Sequence, residues 1–214
     1  MAGYYIHSLS TEVFQQLTTA PTMEQCLLLA DYTLDGLSDS LREYRGEYAA
    51  DPAKWPLERD SLAKSIQNRL RSLDWYDDLT LGDAVIWAHV LWALSEEPGE
   101  QMEVDFQCEN DGFLYWDAAE IAEKQGASMM AEPIFGNKGF RYSGKSRTEL
   151  DLHYSIHLPK EVQQLREQLE KVAPFFESME DEDSENREQF FDGLLEPVQN
   201  ISDSGRVLWV QTDT

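Results

Sequence analysis

The residues most suggestive of chemistry form one loop, Gly139-Phe140-Arg141-Tyr142-Ser143-Gly144-Lys145-Ser146. Two glycines separated by four residues and followed by Lys and Ser match a phosphate cradle. In such a loop backbone amides wrap the phosphates, the lysine reaches the terminal ones and the hydroxyl holds magnesium. That chemistry needs a buried strand feeding the loop and a helix leaving it. The flanks read otherwise. Upstream, Met129 to Gly136 is broken by Pro133; downstream, Leu150, Leu152, Tyr154, Ile156 and Leu158 alternate with Asp151, His153, Ser155 and His157, which is a strand pattern. Nucleotide binding through Gly139, Gly144, Lys145 and Ser146 is therefore the alternative function. What the segment supplies is a basic island, Lys138, Arg141, Lys145 and Arg147, suited to pairing with the chain's own carboxylates.

His153 and His157 share one face of the downstream strand with Asp151 beside them. A metal or acid–base site could start from these groups, but a third ligand is not supplied, and the pattern predicts an exposed polar face on a half-buried strand. His89, inside an apolar helix, reads as a hydrogen-bonded core histidine. Cys26 and Cys108 stand far apart, without Cys-x-x-Cys or Cys/His spacing, and read as reduced, buried thiols. Neither a Gly-x-Ser-x-Gly elbow nor a His-x-x-x-His pair on a helix is present, the spacing of His153 and His157 falling on a strand pattern. The run Asp181 to Glu185 lacks the glycine and alternation of a calcium loop and reads as solvated. The expectation is no catalytic residue, no metal and no cofactor.

The carboxylates are the larger signal. With 41 Asp and Glu against 17 Lys and Arg the formal net charge is -24. Such a field repels phosphate backbones and anionic lipids and speeds encounter with cationic partners. Direct nucleic-acid and membrane binding are expected to be absent. Asp31, Asp35, Asp39, Glu43, Glu47 and Asp51 recur every fourth residue, a stripe along one helix that costs roughly 0.2–0.5 kcal/mol per like-charged pair. The first five are the candidate partner-binding residues. Two further zones, Glu96 to Glu123 with no Lys or Arg and Glu177 to Asp203 with Arg187 alone, concentrate the same charge.

The elements that must position these groups follow from periodicity. Tyr4 to Leu9 reads as a strand, then Ser10 and Thr11 cap a short helix. A long helix opens at Pro21-Thr22 with Leu27, Ala30, Leu34, Leu37, Leu41, Tyr44 and Tyr48 on one seam, a core-facing stripe of a monomer. Asp51 to Pro56 is a loop. Ser61 to Leu73 is an amphipathic helix, and Thr80 to Leu94 an almost wholly apolar, central one. Val104, Phe106 and Cys108 alternate as a half-buried strand, with Asn110-Asp111-Gly112 expected to form a hairpin turn into a strand over Phe113 to Trp116. A short helix is expected from Asp117 to Gln125. Pro159 starts a helix buried through Val162, Leu165, Leu169 and Val172, followed by a helix around Phe190 to Ile201 and a last strand from Val207 to Val210.

The opening Ala2-Gly3-Tyr4-Tyr5, the passage Tyr154 to Leu169 and the close Gly205-Arg206-Val207-Leu208-Trp209-Val210 resemble the YfbM-like family of uncharacterised bacterial α+β proteins. The resemblance covers the ends of the chain and implies a fold neighbourhood without site residues.

The sequence thus predicts a helix-rich α+β protein, residues 1–214 forming one domain with a small, mainly antiparallel sheet. With no basic region followed by an apolar stretch at Met1 to His7, a cytoplasmic location is expected. The function expected is non-enzymatic: an acidic protein-binding domain, of inhibitor or immunity type, that neutralises a basic protein such as a nuclease.

Overall fold

In a computed structural model, residues 3–43, 56–72, 78–79, 81–130, 138–139, 141–142, 153–180 and 183–213 are described. The chain gathers into two compact units, Met1–Thr11 with Asp105–Gly139 and Leu150–Thr214, and Glu12–Val104 with Phe140–Glu149.

The first unit holds strands β1 (Gly3–Leu9), β3 (Val104–Asp111), β4 (Lys138–Gly139), β6 (His153–His157) and β7 (Val207–Asp213), and helices α6 (Gly112–Lys124) and α7 (Pro159–Glu177). It is completed by helix α8 (Ser184–Glu188), a π-helical segment (Gln189–Leu195) and helix α9 (Glu196–Asp203), which follow one another directly. The sheet runs β3-β1-β7-β6, with the two-residue β4 added beyond β6. β1 pairs antiparallel with β7 from Gly3 opposite Asp213 to Leu9 opposite Val207, and β6 lies on the other side of β7 with Ser155 opposite Val210.

Directly opposed residues of antiparallel strands share a face. One face therefore carries Tyr4, Ile6, Leu208 and Val210. These join a core with Tyr115, Ala118, Ala119 and Ala122 of α6, Val162, Leu165, Leu169 and Phe176 of α7, and Phe190, Val198 and Ile201 near the end of the chain. Tyr4 stacks on Tyr115 with ring centroids 4.2 Å apart, and Phe176 on Phe190 at 3.7 Å. The class is the one expected: helix-rich α+β with a mainly antiparallel sheet.

Helix ends obey local rules. The Glu161 carboxylate accepts the Leu158 backbone N–H at 2.8 Å while Pro159 fills the first helical turn. Three expectations are corrected. Asp111-Gly112 is a helix start, since the Asp111 carboxylate accepts from the backbone N–H groups of Phe113 (3.0 Å) and Leu114 (3.4 Å), so Phe113 to Trp116 is the first turn of α6 rather than a strand. The polar face of β6 is not wet either. Ser155 and His157 lie opposite Val210 and Leu208, on the core face of an interior strand flanked by β7 and β4, and both are fully buried. Phe106, expected to point inward from β3, is instead exposed.

The second unit holds α1 (Thr11–Thr19), α2 (Met23–Glu43), α3 (Arg59–Ser72), β2 (Asp78–Leu79), α4 (Leu81–Ala93), α5 (Glu97–Glu100) and β5 (Arg141–Tyr142), the two short strands pairing parallel. A capping box opens α2: Thr22 N–H donates to Gln25 Oε1 at 2.9 Å and Gln25 N–H to Thr22 Oγ1 at 3.2 Å. The helix buries Cys26, Leu29, Ala30 and Thr33, at spacings of three and four, and packs on α3 and α4. Ala30 is on the expected seam, but Leu27 and Leu34 are only half-buried, and Tyr44 and Tyr48 lie outside the described residues. α3 contributes Leu62, Ile66 and Leu70, and α4 contributes Ile86, Trp87, Val90 and Leu91. Arg69 of α3 places its guanidinium 5.9 Å from the Trp87 ring centroid. Among the described residues no helix is long and apolar enough to cross a membrane.

Candidate functional site

The acids of α2 do not form a uniform free stripe. Asp31 receives a two-pronged bond from Arg59, Nε to Oδ1 at 2.6 Å and a terminal nitrogen to Oδ2 at 2.8 Å. Hydrogen bonding from Arg59 holds the Asp31 carboxyl below the usual carboxylate range. Asp35, one turn on, is exposed. Near it stands Tyr32, whose hydroxyl is pushed up first by burial and then by the charges of Glu96, Asp35 and Glu97. Acids some sixty residues apart in sequence therefore act on one side chain, because α5 packs against α2. Asp39 and Glu43 continue the four-residue spacing along the α2 backbone, while Glu47 lies outside the described residues.

Of the phosphate-loop residues, Gly139 sits in β4, paired antiparallel with His153 of β6. Gly144, Lys145 and Ser146 lie outside the described residues, as does Asp151.

The histidines divide between environments. His7 of β1 is buried, with both ring nitrogens lacking a hydrogen-bond partner among the described residues, and burial lowers its pKa to about 4. Phe106 and Trp209 meet the His7 ring edge-on at 5.7 and 6.3 Å. His7 lies opposite Trp209 and His157 opposite Leu208, so strand alternation puts these two buried histidines on opposite faces of the sheet. They form no pair. His89 is half-buried in α4, lowered by that burial, and its Nδ1 lies 3.2 Å from where a Cβ on Gly36 would sit. Gly36 thus lets the ring approach α2 closely. Among the described residues no group of three or more His, Cys, Asp or Glu is placed to hold a metal ion.

The sequence pattern does not show the outward face of α6, because Phe113 to Trp116 reads as a hairpin strand and the helix as beginning only at Asp117. Opposite the buried Tyr115, Ala118, Ala119 and Ala122 stand Phe113, 83% exposed, and Trp116, 39% exposed. Asp117 and Glu120 share their side of the helix. Trp116 Nε1 donates to Glu120 Oε1 at 2.9 Å, and Lys124 Nζ to Glu120 Oε2 at 3.0 Å. These bonds, Trp116 first, keep the Glu120 carboxyl ionised to lower pH than usual. The available signal was the spacing of Tyr115 with Ala118, Ala119 and Ala122, a helical period with small residues against a core. On β3, Glu109 accepts from the Tyr5 hydroxyl at 3.2 Å and Asp105 pairs with Arg206 at 2.7 Å.

No family model, no curated protein and no solved structure matches the chain.

Proposed function

We propose that the chain is a non-enzymatic, acidic protein-binding domain, an inhibitor or immunity-type protein whose carboxylates occupy positions a cationic partner, such as a nuclease, would otherwise offer to phosphate. The observation that carries this reading is the clustering of carboxylates: exposed Asp35 and Glu97 and half-buried Glu96 act together on Tyr32, within a chain of net charge -24. Electrostatic complementarity of this kind raises association rates and selects partners by sign. The test is a low-salt pull-down with the full chain, followed by titration of the retained protein at rising ionic strength. Retention of a basic protein, weakening as salt shortens the screening length to about 10 Å at 0.1 M, supports the reading. Retention of no basic protein, or binding indifferent to salt, removes it.

A further inference from the structure

We propose that the outward face of α6, built from Phe113, Trp116, Asp117 and Glu120, is the docking surface for an arginine- or lysine-bearing segment of a protein partner. The proposal rests on the protein-binding reading above and assigns it a location. Phe113 is the most exposed large apolar side chain among the described residues, and Trp116 is its neighbour one turn along. The ring of Phe113, on the solvent side, adds little to packing, since the opposite side of the helix already fills the core with Tyr115, Ala118, Ala119 and Ala122. The Nε1 bond to Glu120 ties down the edge of the indole, so the Trp116 ring is ordered before a partner arrives.

Charge selects the occupant. From Glu96 to Glu123 the chain has no Lys or Arg, and Lys124, at the far end of α6, is already engaged by Glu120. A purely apolar ligand would strip water from exposed Asp117 without replacing it, whereas a guanidinium or ammonium group can lie on the aromatic faces and pair with that carboxylate. Anionic lipid and nucleic acid meet the wrong sign, and a second copy of this chain brings the same negative charge.

The test titrates the isotope-labelled full chain with an arginine-rich and a lysine-rich peptide at low and at physiological salt, following the indole N–H resonance of Trp116, assigned from Trp116→Phe. The expected result is a Trp116 shift that saturates with binding, and a loss of about tenfold in affinity for Phe113→Ala and for Trp116→Ala. Asp117→Lys, which keeps both rings, is expected to weaken binding as strongly, while Glu12→Gln, at an exposed acid of α1, leaves it within about twofold. Thermal midpoints of the variants separate lost binding from lost folding. Peptide binding with an unmoved Trp116 resonance and full affinity in Phe113→Ala overturns the α6 assignment but leaves the acidic-binding reading standing. Absence of binding by either peptide at low salt removes both. Self-association abolished by Phe113→Ala would make a second copy the occupant and overturn the proposal.

Discussion

The side chain of Asn110, buried on β3, donates to the backbone carbonyl of Gly193 at 3.2 Å and accepts from Gln189 Nε2 at 2.5 Å, so both of its polar atoms are satisfied within the π-helical segment. A π turn widens the helix and loosens its regular ladder, and Asn110 ties β3 to the Gly193 carbonyl within it. A Cβ at Gly193 would fall 1.8 Å from Gln189 Nε2 and 2.3 Å from Asn110 Oδ1. Gly193→Ala must therefore displace both side chains and strand a buried amide. The expected loss is about 1–3 kcal/mol, measured as a shift in urea midpoint. In the Asn110→Ala background the same substitution should cost less, a coupling that a double-mutant cycle reads directly.

Acid should destabilise the protein through His7. Its folded pKa of about 4 lies below the ordinary 6.5, so between these values the unfolded chain binds more protons. The stability contributed is complete above about pH 6.5 and is lost as pH falls toward about 4, by roughly 3 kcal/mol. Urea midpoints measured from pH 7 to pH 4 should fall with acidification, and His7→Phe should flatten that slope. An unchanged slope would mean that other groups, His89 among them, carry it.

Asp31 and Arg59 meet in good geometry, but each side chain is about half exposed. Solvent screens such pairs, and a cycle of Asp31→Ala and Arg59→Ala should give a coupling close to nothing that shrinks further with salt. A large coupling that salt does not reduce would show that the pair is the anchor of α3 on α2.

Both thiols should be inert in the folded protein. Burial pushes Cys26 and Cys108 up to about 11, leaving almost no thiolate at neutral pH. A thiol-reactive disulfide reagent is expected to label neither until denaturant is added. Fast labelling of native protein would contradict the burial of Cys26.

Magnesium-ATP and magnesium-GTP should not bind measurably by calorimetry. Gly139 lies in a strand paired antiparallel with β6, whereas a phosphate cradle follows a strand buried within a parallel sheet. Binding abolished by Lys145→Ala would restore the nucleotide alternative.

The elements with a clean period were legible: α7 buries Val162, Leu165, Leu169 and Val172 as their spacing requires, and β1 and β7 fall where short apolar runs put them. Asp111-Gly112 was not, because an aspartate before glycine serves a tight turn and a helix start equally well, and only the carboxylate's partners distinguish them. The surroundings of Ser155 and His157 depend on which strands flank β6, and β7 reaches it from fifty residues away, a neighbour no local pattern reveals. For the acidic surface, the sequence showed how much charge there is. It did not show that Arg59 engages Asp31, or that Glu96 and Glu97 come to stand by Asp35.

The pairing of β1 with β7 has a consequence for biosynthesis. Residues 3–9 are made about two hundred residues before their partner strand on one side, residues 207–213. Until β7 emerges, Tyr4, Ile6 and Leu9 can pair only toward β3, so the middle of the sheet closes late, once residues 207–213 are available. In that interval the nascent chain carries an open, apolar strand edge, and like negative charge along the emerging polypeptide opposes the pairing of that edge with another copy.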